Sequence, residues 1–157
     1  MINSTTDILL VEDDEGYALL MRDAFEKERL DVNLHHVTDG RQCLEFLRRE
    51  GSFRGERAPD LVLMDLDMPG MDGREALAAI VADDALKHFP VVILTSREER
   101  DEILRMYRLR CNSYIQKPHD FREFVRRFAG YWLSMVVLPG DARTISPLDA
   151  PSAASER

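Results

Sequence analysis

Short apolar runs recur along the chain, separated by longer stretches in which apolar residues return every three or four positions. Runs of the first kind suit strands buried on both faces, and stretches of the second kind suit helices with one buried stripe. ILLV (8–11) reads as a buried strand, followed by a predicted helix over about 15–29 with Leu20, Met21, Ala24 and Phe25 turned inward. VNLHHV (32–37) is a weaker strand near an edge. Asp39-Gly40 opens a helix carrying Leu44 and Leu47 that ends near Gly51. The polar loop GSFRGERAP leads into the strand LVLM (61–64), and a helix over about 73–87 turns Leu77, Ile80 and Val81 inward. VVIL (91–94) follows Pro90. Ser96 and Glu99 have capping-box spacing, which predicts a helix from there to about Arg108. YIQ (114–116) is the fifth strand, stopped by Lys117-Pro118. A last helix from near Asp120 carries Phe121, Phe124, Val125, Phe128 and Trp132 on one face. Five strands alternating with five helices predict right-handed crossovers and a doubly wound α/β fold, a parallel sheet covered on both sides.

Length and charge narrow the picture. The chain has 157 residues, room for one buried core and a tail. Its net charge of -8 repels nucleic acid phosphates and anionic membrane surfaces. The first residues, MINSTTD, lack the basic and apolar segments of a signal peptide, and no apolar run approaches the roughly 20 residues of a membrane span. A cytoplasmic location is therefore expected, with no nucleic acid or membrane partner. Two cysteines, Cys43 and Cys111, form neither a disulfide framework nor a metal-ligand spacing and read as packing residues.

In doubly wound sheets a ligand sits beyond the carboxyl ends of the strands. The first strand ends in Glu12-Asp13-Asp14, the third in Asp65, the fourth in Thr95-Ser96 and the fifth in Lys117-Pro118. Taken singly, each has an ordinary reading. An Asp after a strand forms turns, as Asp72-Gly73 does in a turn or helix start; a lysine before proline is often solvated; an acidic triplet suits a helix start. Their joint placement is less ordinary. With strands one, three, four and five adjacent, Glu12, Asp13 and Asp65 crowd together with Asp67 close by, and like charges so placed need a cation. A hard divalent ion, Mg²⁺ above all, fits an all-oxygen set. Lys117 adds a positive charge and Thr95 a hydroxyl donor, so the set suits a phosphoryl group attacked in line by a carboxylate. Asp65, between the acidic ligands and the lysine, is the expected nucleophile.

Over about residues 7–135 the chain resembles the receiver domain of two-component response regulators, on the segments LVEDDE, LMDLDMPGMDG, VVILTSR and YIQKPHD. The resemblance implies a flavodoxin-like five-stranded parallel sheet in order 2-1-3-4-5 with five flanking helices. It also implies a signalling phosphoacceptor rather than an enzyme with turnover. Asp65 would take a phosphoryl group from a histidine kinase. Asp13 would bind Mg²⁺, Glu12 directly or through water, and Asp67 through its backbone carbonyl. Thr95 and Lys117 would contact the phosphoryl group, Tyr114 would be the switch aromatic, and the Lys117-Pro118 bond would be cis. The stretches RGERAPDLVLMDLDMPGMDGREALAAI, NSYIQKPHDFREF and YWLSMVVLP resemble the single-domain regulators paired with bacterial and cyanobacterial phytochromes, which implies a light-sensing kinase partner. Three departures from the family stand out: Glu12 for the commoner Asp, Asp67 where many relatives have Asn, and Arg110-Cys111 for a small Gly-Ala pair.

Residues 1–138 are expected to form the receiver with an extended C-terminal helix, and 139–157, rich in Pro, Ala and Ser, a mobile tail. No output module is expected, so the signal would leave by protein contact, or the chain would serve as a phosphate relay or sink. The apolar residues Tyr131, Trp132, Leu133, Met135, Val136, Val137 and Leu138 exceed what one core-facing stripe needs, which predicts a homodimer through the end of the last helix. Folding back onto the monomer is the alternative. A haloacid dehalogenase-type phosphohydrolase also uses Asp-x-Asp after a strand, but wants Thr or Val two places beyond the second Asp, where Pro69 stands here. A flavin module would need a Ser/Thr/Gly-rich phosphate loop in place of the acidic one.

Overall fold

Strands without a polar face have to be sandwiched between helices, and the chain does this in a computed structural model that describes residues 5–142. The elements are β1 (Thr6–Val11), α1 (Glu15–Lys27), β2 (Val32–Val37), α2 (Gly40–Arg48), β3 (Leu61–Met64), α3 (Gly73–Ala82), β4 (Val91–Thr95), α4 (Arg100–Arg108), β5 (Ser113–Gln116), α5 (Phe121–Phe128) and a short α6 (Pro139–Ala142). A 3₁₀ turn, Gly51–Phe53, lies within the GSFRGERAP loop. All strand pairs are parallel and the order is β2-β1-β3-β4-β5, as expected.

Alternate residues of each strand enter opposite layers. Leu9, Val11, Val62, Met64 and Ile93 pack with Leu44, Leu77, Ile80 and Met106 of α2, α3 and α4. Ile8, Leu10, Leu61, Leu63, Val92 and Leu94 pack with Met21, Phe25, Phe124, Val125 and Phe128 of α1 and α5. Four helices start on an aspartate whose side chain accepts a backbone N–H three residues on: Asp14 from Tyr17, Asp39 from Gln42, Asp72 from Glu75 and Asp120 from Glu123. Each such cap contributes about 1 kcal/mol. Cys43 and Cys111 are buried free thiols, pushed up by burial to about 12 and about 11, in keeping with packing roles.

Several local expectations need correction. On α1 the buried set is Ala18, Met21, Ala24 and Phe25, while Leu20 is exposed. At about 100° per residue, Leu20 falls at the rim of the face that those four define. α3 stops at Ala82 because the Asp83 carboxylate accepts the Ala85 N–H, starting a turn that buries Leu86 and Phe89. Ser96 and Glu99 make no capping box: α4 begins at Arg100, with Glu99 at its N-cap position and no side-chain bond there. The intervening residues are taken elsewhere, Arg97 by Asp67 and Glu98 by Gln116. The Lys117-Pro118 bond is trans, the isomer favoured by about 0.5–1 kcal/mol before proline.

α5 does not extend beyond Phe128. The chain passes through a π-helical turn, Ala129–Leu133. Trp132 and Leu138, expected at a dimer interface, turn back into the α1/α5 layer, and Leu133 and Val136 pack against its rim. Tyr131, Met135 and Val137 remain exposed. The expected mobile stretch 139–157 begins with α6; the rest of it lies outside the described residues. Among the described residues no helix is long and apolar enough to cross a membrane.

Candidate functional site

Parallel register carries the strand ends to one place. Val11 pairs with Met64, Met64 with Ile93 and Thr95 with Gln116. The ladder continues one step further: Asp65 N–H donates to Val11 O at 3.0 Å, Glu12 N–H to Val37 O at 3.0 Å and Lys117 N–H to Thr95 O at 2.8 Å. Glu12, Asp65 and Lys117 are thus aligned by the sheet, and Asp13 follows Glu12 into the loop. Glu12, Asp65 and Thr95 are buried, at 2%, 6% and 0% exposure, whereas Asp13 faces solvent.

Lys117 Nζ lies 2.8 Å from Glu12 Oε2 and 3.4 Å from Asp65 Oδ2. The second oxygens are held by backbone: Leu66 N–H donates to Asp65 Oδ1 at 2.8 Å and Asp14 N–H to Glu12 Oε1 at 3.1 Å. Burial raises the carboxyl groups of both Glu12 and Asp65 above the usual range, although Lys117 opposes the shift. Burial alone would pull Lys117 down, but the Glu12 and Asp65 carboxylates outweigh it and hold the ammonium charged. One lysine therefore leaves the acidic charge under-compensated. Glu12, Asp13 and Asp65 each offer an oxygen, all within 4.8 Å of one another. That donor set, hard oxygens with excess negative charge, fits a divalent cation.

Asp67 does not turn its carboxylate into this group. Arg97 Nε binds it at 2.7 Å and Arg74 approaches at 3.5 Å, and the Arg97 bond chiefly holds its carboxyl below the usual range. Arg97 also ties Thr95 to Tyr114. Its N–H donates to Thr95 Oγ1 at 3.4 Å and its carbonyl accepts from the Tyr114 hydroxyl at 2.9 Å. Five contributors went unforeseen in the sequence: Arg97, Arg74 and its partner Glu102, His36, which donates from Nε2 to Glu12 O at 2.7 Å, and Tyr17, whose ring lies against Lys117. A basic residue two places after Thr95 facing an acid two places after Asp65 was a readable hint of the Arg97–Asp67 pair. The others depend on contacts between distant segments.

Residues 8–129 match the model of the response regulator receiver domain. The chain belongs to that family. It is 34% identical over 135 residues to the response regulator Rcp1 of Synechocystis sp., covering 84% of this chain and 92% of Rcp1. It is 37% identical over 139 residues to the probable methanogenesis regulatory protein FilR2 of Methanothrix harundinacea, covering 86% and 88%. The crystal structure of the phosphorylated cyanobacterial phytochrome response regulator RcpA superimposes with a TM-score of 0.80 at 35% identity, over 87% of this chain and 99% of that one. The Mn²⁺-bound form of Rcp1 superimposes with a TM-score of 0.78 at 34% identity, over 85% and 99%. The chain is thus a receiver of two-component signalling, and the hydrolase alternative has no support.

Proposed function

We propose that this receiver accepts a phosphoryl group from a histidine kinase on the Asp65 carboxylate, with Mg²⁺ held by Glu12, Asp13, Asp65 and the backbone carbonyl of Asp67. The observation that carries this reading is the buried Asp65 carboxylate at the end of the central strand, one oxygen pinned by the Leu66 N–H and the other facing Lys117. An Asp65 oxygen attacks phosphorus in line, the bond from phosphorus to the donor imidazole breaks, and the imidazole leaves with its electron pair; the product is an acyl phosphate. The cation, when bound, offsets negative charge on the acidic cluster and on the equatorial phosphoryl oxygens.

Lys117 has a second duty in this scheme. Its ammonium pairs with Glu12 and Asp65 in the unmodified protein and turns to a phosphoryl oxygen once Asp65 is phosphorylated. Thr95 offers its hydroxyl to another of these oxygens. Because the Arg97 backbone is held at its N–H by Thr95 and at its carbonyl by Tyr114, movement of Thr95 loosens the Tyr114 contact as well. Tyr114 is the switch aromatic in this reading. The signal then leaves by protein contact, without enzymatic turnover.

RcpA is a phytochrome response regulator. Carried to this chain, that likeness names a phytochrome-type, light-sensing histidine kinase as the input, acting in the cytoplasm. We also propose a homodimer, in which exposed Tyr131, Met135 and Val137 form the contact while Trp132 and Leu138 support it from the core. Met135→Glu/Val137→Glu keeps those core residues; light scattering should show a loss of mass relative to wild type, and equal masses would refute the dimer face.

Intact-mass measurement after incubation with Mg²⁺ and a small phosphodonor tests the central claim. Wild type should gain one phosphoryl group and Asp65→Asn none. An unmodified wild type, or equal gain by Asp65→Asn, would overturn it.

A further inference from the structure

Lys117 must serve two carboxylates and then a phosphoryl group, so its ammonium has to be held over the pocket rather than committed to one acid. Two of its sides face Glu12 and Asp65. A third faces the ring of Tyr17, whose centroid lies 4.3 Å from Nζ. That is well inside the roughly 6 Å over which the negative face of an aromatic ring attracts a cation.

We infer that Tyr17 is a positioning residue of the phosphoryl-transfer site, acting through Lys117 by presenting its ring face to the ammonium. The inference rests on the reading of Asp65 as phosphoacceptor. Its placement is built into the site. Glu12 accepts the Asp14 N–H at 3.1 Å, and Asp14 in turn accepts the Tyr17 N–H at 3.0 Å, so the acidic loop itself sets Tyr17 in the first turn of α1. The ring also packs against Phe121, the first residue of α5, at 5.0 Å between centroids and tilted by 57°. Tyr17 thus touches both Lys117 and the start of α5.

The hydroxyl marks the ring as the useful part. Tyr17 Oη is buried and has no hydrogen-bond partner among the described residues. A buried hydroxyl without a partner is unfavourable, and phenylalanine would fill the same space without it. Burial, with Glu12 and Asp65 nearby, pushes the phenol up, so it stays neutral beside the carboxylates. Among the described residues nothing bonds the oxygen, whereas the ring face has a charged neighbour.

The test compares full-length wild type, Tyr17→Phe and Tyr17→Met. Met fills a similar volume against Phe121 but has no ring. In NMR spectra the Lys117 side-chain signals should show a ring-current shift in wild type and Tyr17→Phe that is lost in Tyr17→Met. With Mg²⁺ and a small phosphodonor, Tyr17→Phe should be phosphorylated as fast as wild type. Tyr17→Met should be slower by roughly three- to thirtyfold, the range expected for losing a partly buried cation–π contact, through the maximal rate rather than the half-saturating donor concentration. A Tyr17→Met chain as fast as wild type, or a Tyr17→Phe chain as slow as Tyr17→Met, would overturn the inference. So would a phosphorylated wild type without the ring-current shift, a result that needs no variant to fold and leaves Asp65 as the acceptor. A wild type that shows the shift yet takes no phosphoryl group overturns the phosphoacceptor reading and the role of Tyr17 with it.

Discussion

Gly73→Ala tests how tightly the backbone around Asp65 is built. Gly73 opens α3 and donates its N–H to Leu66 O at 3.0 Å. A Cβ at this position would stand 2.2 Å from the Asp65 carbonyl oxygen and 2.9 Å from Leu66 Cα. Both obstacles are backbone, so no rotamer relieves them. A carbon rests against a carbonyl oxygen at roughly 3.3 Å, which requires the helix start to retreat by about 1 Å. That retreat stretches the Gly73–Leu66 hydrogen bond beyond usable length and costs about 1 kcal/mol. Overpacking adds about 1–3 kcal/mol, for a total of roughly 2–4 kcal/mol. For a chain of this size the Tm should fall by about 4–16 °C in a thermal melt followed by circular dichroism. Phosphorylation should slow further, because a misplacement of about 1 Å at the reacting group costs on the order of a hundredfold. Gly70→Ala is the control: its φ is +73° but nothing lies within 4 Å, so it should lose only about 1 kcal/mol from backbone strain. A Gly73→Ala protein with the Tm and phosphorylation rate of wild type would show that the β3–α3 loop is loose, and the steric reasoning would fail.

Three further outcomes are expected. Because burial raises Asp65 and Glu12 above their ordinary 3.8 and 4.5, the folded state binds these protons more tightly than the unfolded state, so in chelator the site loses stability as pH rises from that range through the folded-state values. Asp65→Asn should therefore melt higher than wild type at neutral pH in chelator, with the gain shrinking toward about pH 4; a lower Tm at neutral pH would contradict this. Arg110 has φ +70°, so Arg110→Gly should stabilise by about 0.5–1 kcal/mol in urea titration, and destabilisation would show that its side chain matters more than its backbone. The Arg97–Asp67 pair is nearly half exposed on both sides, so a double-mutant cycle with alanine should give a coupling of about 0.2–1 kcal/mol that fades in high salt, and a larger, salt-insensitive value would refute the surface reading.

Much of the site was legible because a parallel sheet turns sequence position into spatial position. Once ILLV, LVLM, VVIL and YIQ are strands, the residues that follow them are carried to one edge of the sheet, and Glu12, Asp65 and Lys117 do meet there, with Thr95 at the end of the neighbouring strand. The helix starts were legible for a similar reason, since Asp14, Asp39, Asp72 and Asp120 each cap within three residues of themselves. Ser96-x-x-Glu99 had the same local grammar and failed, because Asp67 and Gln116 from other segments claimed Arg97 and Glu98. The apolar run after Gly130 carried a surplus but no direction. Only packing against α1 and α5 sent Trp132 and Leu138 inward and left Met135 and Val137 in solvent.

By itself, then, the sequence determined the strands, their covered faces and the chemical types gathered at their ends, because hydrophobic periodicity and short-range capping act within a few residues. The tertiary structure alone decided that Lys117 pairs more closely with Glu12 than with Asp65, that Tyr17 lies against it and that Arg97 holds Asp67. These are contacts between segments tens of residues apart, where side-chain reach, burial and competition among several oppositely charged neighbours select one partner.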